Sequence, residues 1–315
     1  MTGKVSIIGG AGRVGSNAAY ALQLGRTCRE IVLVDVAAEA AQGEALDLRH
    51  GRAAAGGPSV RAGGYEAISG SDMVVVTAGL RRRPDESRLK LIERNAALFR
   101  EIVGDISGSG AAGEAILLVV TNPVDVLTYL AATELGWPPE RTIGLGTVLD
   151  TLRFRSLLGE RLGLDPEKVE GLILGEHGDS MVAAFSLLRY DGRPISTVPG
   201  YSPQAVQEAF AATRGAGAEC LRLKGGAGYA VGVAVRQVVA AVLEDRGEAL
   251  PVSTLHRDGP FEGVALSLPT RVGRRGVLEV VMPALSEEEQ RGLARSAKVL
   301  RETLASLQPD GRATG

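Results

Sequence analysis

The chain has 315 residues, 45% of them hydrophobic, enough for one large domain or two ordinary ones around a buried core. Its 35 Lys and Arg side chains face 37 Asp and Glu, a net charge of −2 that argues against a nucleic-acid partner or an anionic membrane surface. No apolar stretch approaches the ~20 residues of a membrane span, and Cys28 and Cys220 fit no redox or metal-ligand spacing, so a reduced, cytoplasmic setting without a metal is expected.

The chain opens on Val5-Ser6-Ile7-Ile8, too short for a signal-peptide core and better read as a strand. Val5 to Gly9, Ile31 to Val36, Met73 to Thr77 and Ile116 to Thr121 are rich in Val, Ile and Leu and lack polar alternation, as parallel strands covered on both faces do. Helical periodicity fills the gaps at Val14 to Leu24, Ala38 to His50, Arg88 to Ile106 and Val124 to Leu135. That alternation predicts an α/β fold, a Rossmann-type doubly wound parallel sheet over residues 1–148.

Beyond residue 148 the pattern changes to an α+β substrate domain, 149–315. Asp150 to Leu162 reads as a helix, followed by an apolar strand, Val169 to Leu174. A region bearing Gly192, Pro194, Pro199 and Gly200 precedes two long helices, Pro203 to Lys224 and Tyr229 to Asp245. Val264 to Leu268 and Val277 to Met282 look like an antiparallel pair turned at Gly273-Arg274-Arg275-Gly276. Ser286 to Leu307 is a helix with a good N-cap and an acidic first turn, and the tail from Pro309 is expected to fray.

Gly9, Gly10, Gly12 and Gly15 sit between the first strand and first helix. Glycines there permit a tight turn and bring backbone N–H groups and a helix N-terminus against a pyrophosphate. Asp35 ends the second strand 20 residues after Gly15, where a carboxylate accepts hydrogen bonds from a ribose hydroxyl and repels a 2′-phosphate. The expected cofactor is NAD, favoured over NADP.

Only three histidines occur, and His177 lies in Gly175-Glu176-His177-Gly178-Asp179, a setting suited to proton exchange in a cleft rather than to core packing. Asp150 could orient its ring or merely cap a helix. Arg153, one turn on, could clamp a carboxylate or form a surface ion pair. Asn122, one of three asparagines, could meet a ligand at a strand end or simply precede a proline in a turn.

Thr77-Ala78-Gly79, Arg82-Arg83-Pro84, Arg88, Thr121-Asn122-Pro123-Val124-Asp125, Gly144 to Asp150, Arg153 and Gly175 to Asp179 occur in an order that resembles lactate/malate dehydrogenases over about residues 4 to 305. The resemblance implies His177 and Asp150 as the catalytic couple, with Arg88 polarising the substrate carbonyl. It implies Arg153 on the substrate carboxylate and Asn122 near the reacting oxygen. It extends the cofactor set to Arg13, Val14, Thr77, Ala78, Gly79, Asn95 and Val120, and implies a homodimer or homotetramer. Leu80 to Arg88 resembles the loop that closes over substrate, with Asp85 where the family has glycine.

Arg82 falls at the position that discriminates substrates in the family, and a second arginine in a closed pocket needs a second carboxylate. Ala227, on the expected opposite wall, points the same way, although Ala230-Val231-Gly232 departs from the malate-type sequence. The expectation is a malate dehydrogenase of the tricarboxylic acid cycle, acting on a small dicarboxylic 2-hydroxy or 2-keto acid. Lactate dehydrogenase is the runner-up. A non-catalytic NAD-binding protein would not need His177, Asp150 and Arg153 together, and an NAD-dependent glycosidase would need a Cys and His metal set.

Overall fold

A computed structural model describes residues 2–81, 83, 85–110 and 114–307. In the first half, strands β1 (Lys4–Ile8), β2 (Glu30–Val34), β3 (Ser59–Ala62), β4 (Met73–Val76), β5 (Ile116–Val119) and β6 (Thr142–Gly144) alternate with helices. These are α1 (Arg13–Leu24), α2 (Ala38–Ala55), α3 (Arg88–Gly108) and α4 (Val124–Thr133). The six strands run parallel in the order β6-β5-β4-β1-β2-β3. The order reverses beside β1, which opens a crevice at the carboxyl ends of β1, β4 and β5.

The missing polar alternation has its cause in the packing. Val5, Ile7, Ile31, Leu33 and Val75 point into one core, shared with residues of α1 and of a later helix. Ile8, Val32, Val34, Val74 and Val76 point into the other, beneath α3 and α4. Both faces of the sheet are therefore apolar, as a parallel sheet covered by helices requires.

The second half begins with α5 (Val148–Leu162). Five two-residue strands follow: β7 (Val169–Glu170), β8 (Ile173–Leu174), β9 (Val182–Ala183), β10 (Arg189–Tyr190) and β11 (Arg193–Pro194). The single strand expected from Val169 to Leu174 is thus two, in different small sheets. At the break, a Cβ on Gly171 would come within 2.7 Å of the Leu188 side chain. Helices α6 (Pro203–Lys224) and α7 (Tyr229–Leu243) match the expected pair. α7 lies so close to α1 that a Cβ on Gly232 would stand 2.6 Å from the Asn17 carbonyl oxygen.

Strands β12 (Ala249–His256), β13 (Val264–Gly273) and β14 (Gly276–Val280) extend the first sheet antiparallel, through Ser253 beside Gly144 of β6, to nine strands. One sheet therefore runs through both halves of the chain. Helix α8 (Glu287–Leu307) closes the fold. Ser286 and Glu289 cap it reciprocally, and Glu289 also accepts from the Ser186 amide and hydroxyl, pinning α8 to the segment after β9. No described helix is long and apolar enough to cross a membrane.

Candidate active site

The glycine loop between β1 and α1 has no room for side chains. Gly9 has φ +84°, and a Cβ there would stand 2.6 Å from the Ala78 amide nitrogen; one on Gly15 would run into the Gly9 carbonyl. Gly12 is the N-cap residue of α1 and makes no side-chain cap, which leaves the first-turn N–H groups available to an anion. Asp35 accepts hydrogen bonds from the amides of Ala11 and Ala37, both at 3.0 Å, so its carboxylate is held against this loop. Exposed Arg13 lies alongside Gly225 and Gly228 of the second half.

The ends of β4 and β5 are tied to the same loop. Thr77 Oγ1 donates to the Ile8 carbonyl at 2.9 Å, and Thr121 Oγ1 donates to that of Ala78 at 2.7 Å. Buried Asn95 spends its amide on the scaffold, accepting from Leu80 N at 2.8 Å and donating to the Asn122 carbonyl at 3.1 Å. A cavity of about 500 Å³ opens here, lined among others by Val14, Thr77, Gly79, Asn95, Val120 and Asn122. Arg88 and His177 line it too, so the expected cofactor-side and proton-side residues share one space.

Behind that wall His177 is held twice. Its Nδ1 lies 2.5 Å from Asp150 Oδ2, and its main-chain N–H donates to Asp125 Oδ2 at 2.8 Å. Asp150 is 1% exposed and also accepts from Arg153 Nη1 at 3.1 Å. Burial opposes the imidazolium, but the Asp150 charge and hydrogen bond, with Asp125 adding to them, outweigh it and raise the His177 pKa above its ordinary value. Burial likewise pushes Asp150 up, and His177 with Arg153 more than reverses that, leaving Asp150 below the usual carboxylate range. The pair is built to keep a proton on the ring and a charge on the carboxylate.

Arg88 is the first residue of α3, a cation at a positive helix end. Its Nη1 meets Asp179 Oδ2 at 3.2 Å and its Nη2 meets Glu176 Oε1 at 3.6 Å, while 65% of the side chain stays exposed. The preceding loop is anchored by Glu86, which accepts from Arg94 at 2.6 Å and from the Arg83 amide at 3.0 Å. Asp85 has φ +63°, the left-handed region in which glycine is unstrained, which explains the glycine expected there.

Arg82 and Pro84 lie outside the described residues. Ala227 and Arg153 line a second cavity of about 560 Å³ with Leu152, Cys220 and Tyr229, so neither lines the His177 cavity, although Arg153 reaches it indirectly through Asp150. The sequence reading gives no role to Asp125, Glu86 or Glu176. Asp125 has the outward signal of a first-turn carboxylate, and only the fold puts it under His177.

Residues 3–144 match the NAD-binding domain of lactate/malate dehydrogenases, and residues 147–308 match their alpha/beta C-terminal domain. The chain belongs to the lactate/malate dehydrogenase family. Its cofactor is NAD, and the family's substrates are 2-hydroxy and 2-keto acids. It is 44% identical over 305 residues to the L-lactate dehydrogenase of Salinibacter ruber, a match covering 95% of this chain and 96% of that one. The minor L-lactate dehydrogenase of Enterococcus mundtii has the same fold, with TM-score 0.92 and 35% identity over 98% and 99% of the two chains. The malate dehydrogenase of Picrophilus torridus is similar with TM-score 0.91, at 29% identity over 97% of each.

These relatives overturn the malate expectation, and with it the tricarboxylic acid cycle and a dicarboxylic substrate. Relatives 39–44% identical over nearly the whole chain are L-lactate dehydrogenases. The expectation leaned on the charge of one loop residue, Arg82, and on Ala227, which lines a different cavity from His177.

Proposed function

We propose that the chain is an NAD-dependent L-lactate dehydrogenase, interconverting lactate and pyruvate. The observation that carries the chemistry is the His177–Asp150 couple at 2.5 Å, on a cavity shared with Asn122 and Arg88. The substrate assignment is supported by the 39–44% identity to L-lactate dehydrogenases.

Bound NAD supplies the hydride acceptor for the alcohol, and NADH the donor for the ketone. The glycine loop holds the pyrophosphate and Asp35 the ribose hydroxyls. Thr77, Ala78, Gly79, Val120 and Asn122 line the nicotinamide side, on a frame that Asn95 fixes. His177 takes the hydroxyl proton on Nε2 when lactate is oxidised and returns it to the carbonyl oxygen when pyruvate is reduced. Asp150 keeps the ring in the tautomer with Nδ1 protonated and stabilises the imidazolium. Arg153 receives the substrate carboxylate. Arg88 leaves Asp179 to polarise the carbonyl as its loop closes and excludes water. The division of labour is a cofactor-binding half to about residue 148 and a half supplying the proton and carboxylate groups after it. A homodimer or homotetramer completes the proposal, with sedimentation as its check.

The test is NADH oxidation with pyruvate beside oxaloacetate. Pyruvate is expected to give the higher kcat/KM; a higher value with oxaloacetate refutes the lactate reading.

A further inference from the structure

Asp150 accounts for one side of His177, and a second buried carboxylate accounts for another. Asp125 stands in the first turn of α4, 3% exposed. Its Oδ2 accepts the His177 main-chain N–H at 2.8 Å. Its Oδ1 is buried without a hydrogen bond of standard geometry, and the carboxylate has the Ser253 side chain of β12, equally buried, as a polar neighbour. A carboxylate in that setting costs the fold free energy while ionised. Capping α4 does not require one so deeply placed, since a surface carboxylate serves a helix dipole as well.

We propose that Asp125 is a second positioning residue for His177: its carboxylate fixes the backbone of the histidine loop and, while ionised, holds the proton on the imidazole. The proposal rests on the reading of His177 as the group that exchanges the substrate proton.

Among the described residues the charges around the ring are few. Asp150 and Arg153 face it from α5, Asp125 from α4, and Glu176 and Asp179 flank it in its own loop with Arg88 of α3 paired to both. Arg153 opposes protonation of His177, Asp150 favours it, and Asp125 favours it further. Burial pushes Asp125 up to about 6, with Ser253 and His177 pulling against that. Asp125 is therefore ionised near neutrality and neutral in mild acid. Its support for the imidazolium is present above about pH 6 and fades below it, while Asp150, held low, supports the ring throughout.

Asp125→Asn keeps an oxygen for the His177 amide and a donor for Ser253, and removes only the charge. With three histidines in the chain, ¹³C-histidine labelling reads the His177 titration directly, and His177→Asn assigns its signal. The expected result in Asp125→Asn is a His177 pKa lowered by about one unit, with the high-pH loss of pyruvate reduction moved down by the same amount. Movement of the titration without the rate profile sustains Asp125 as the positioning residue and removes His177 from the proton step. A titration that stays put overturns the proposal, whatever the rate does, and leaves Asp125 a structural carboxylate. Should Asp125→Asn fail to fold, Asp125→Ser removes the same charge with a smaller polar side chain. The His177 pKa must then fall, and an unchanged one refutes the idea equally.

Discussion

Replacing Asp150 by Asn removes one charge from a site where that charge has two partners and almost no water. The carboxylate is 1% exposed, 2.5 Å from His177 Nδ1 and 3.1 Å from Arg153 Nη1. A hydrogen bond to an ionised partner contributes roughly 1.5–3 kcal/mol, which corresponds to about one to two pKa units. His177 has its pKa raised in the fold, so the reducing form is present at low pH and lost as pH rises through that value. In Asp150→Asn this loss moves to lower pH. The protonated fraction at neutral pH falls accordingly, and an Asn amide that presents its NH₂ to Nδ1 selects the wrong tautomer as well. The expected drop in kcat/KM for pyruvate is about 10²–10³-fold, within the usual range for general acid–base catalysis. NADH affinity, set by the glycine loop and Asp35, stays within about twofold of the parent. Stopped-flow NADH oxidation from pH 5 to 9, with fluorescence titration of NADH, reads both. A variant within tenfold of the parent, with its high-pH limb unmoved, refutes the couple.

Asp35→Ser removes the charge held against the glycine loop, and kcat/KM with NADPH relative to NADH should rise about tenfold or more; an unchanged ratio places the ribose elsewhere. Asp85→Gly relieves a left-handed φ of +63°, roughly 1–2 kcal/mol, against about 0.4–1 kcal/mol of added unfolded-chain freedom, and should raise Tm; a lowered Tm refutes the strain. Asp125→Asn should stabilise the protein above pH 6, because two pKa units of unfavourable ionisation, about 3 kcal/mol at most, disappear. That gain should vanish below pH 4, where the carboxyl is protonated folded or unfolded, and equal stability at both pH values refutes the strained charge.

What the sequence displays is what local pattern encodes. Runs such as Met73 to Val76, apolar at every position, announce strands buried on both faces, and the glycines before α1 announce a turn with no room for Cβ atoms. His177 was legible by itself, an imidazole among glycines, whereas Asp150, Asn122 and Arg88 drew their expected roles from the family resemblance. Strands β3, β6 and β12 were not read. β3 and β6 are four and three residues long, while β12, eight residues paired to the next strand and through Ser253 to β6, was simply passed over. Asp125 was silent for the opposite reason, since a first-turn carboxylate fits its helix so well that nothing local calls for a buried partner. Substrate choice was misread because it leaned on the charge of Arg82, and it is the lactate dehydrogenase relatives that correct it.

The proton and hydride ends of the reaction must meet within about an ångström of their productive geometry, and the sheet supplies the means. β5 ends at Val119 and leads to Asn122 and Asp125; β6 ends at Gly144 and leads to Asp150 at the head of α5. These neighbouring parallel strands are paired from Leu117–Thr142 to Val119–Gly144. The groups that hold His177 by its ring and by its backbone thus start from adjacent ends of one sheet, beside the strands whose ends form the cofactor cavity. His177 itself arrives on a short loop after β8, joined to β13 through Gly175 and Ser267. A loop can carry the proposed proton exchanger because the positioning comes from the helices beneath it. Arg88, by contrast, is held to Asp179 only through an exposed and therefore weak ion pair, which its proposed role would have it exchange for a substrate.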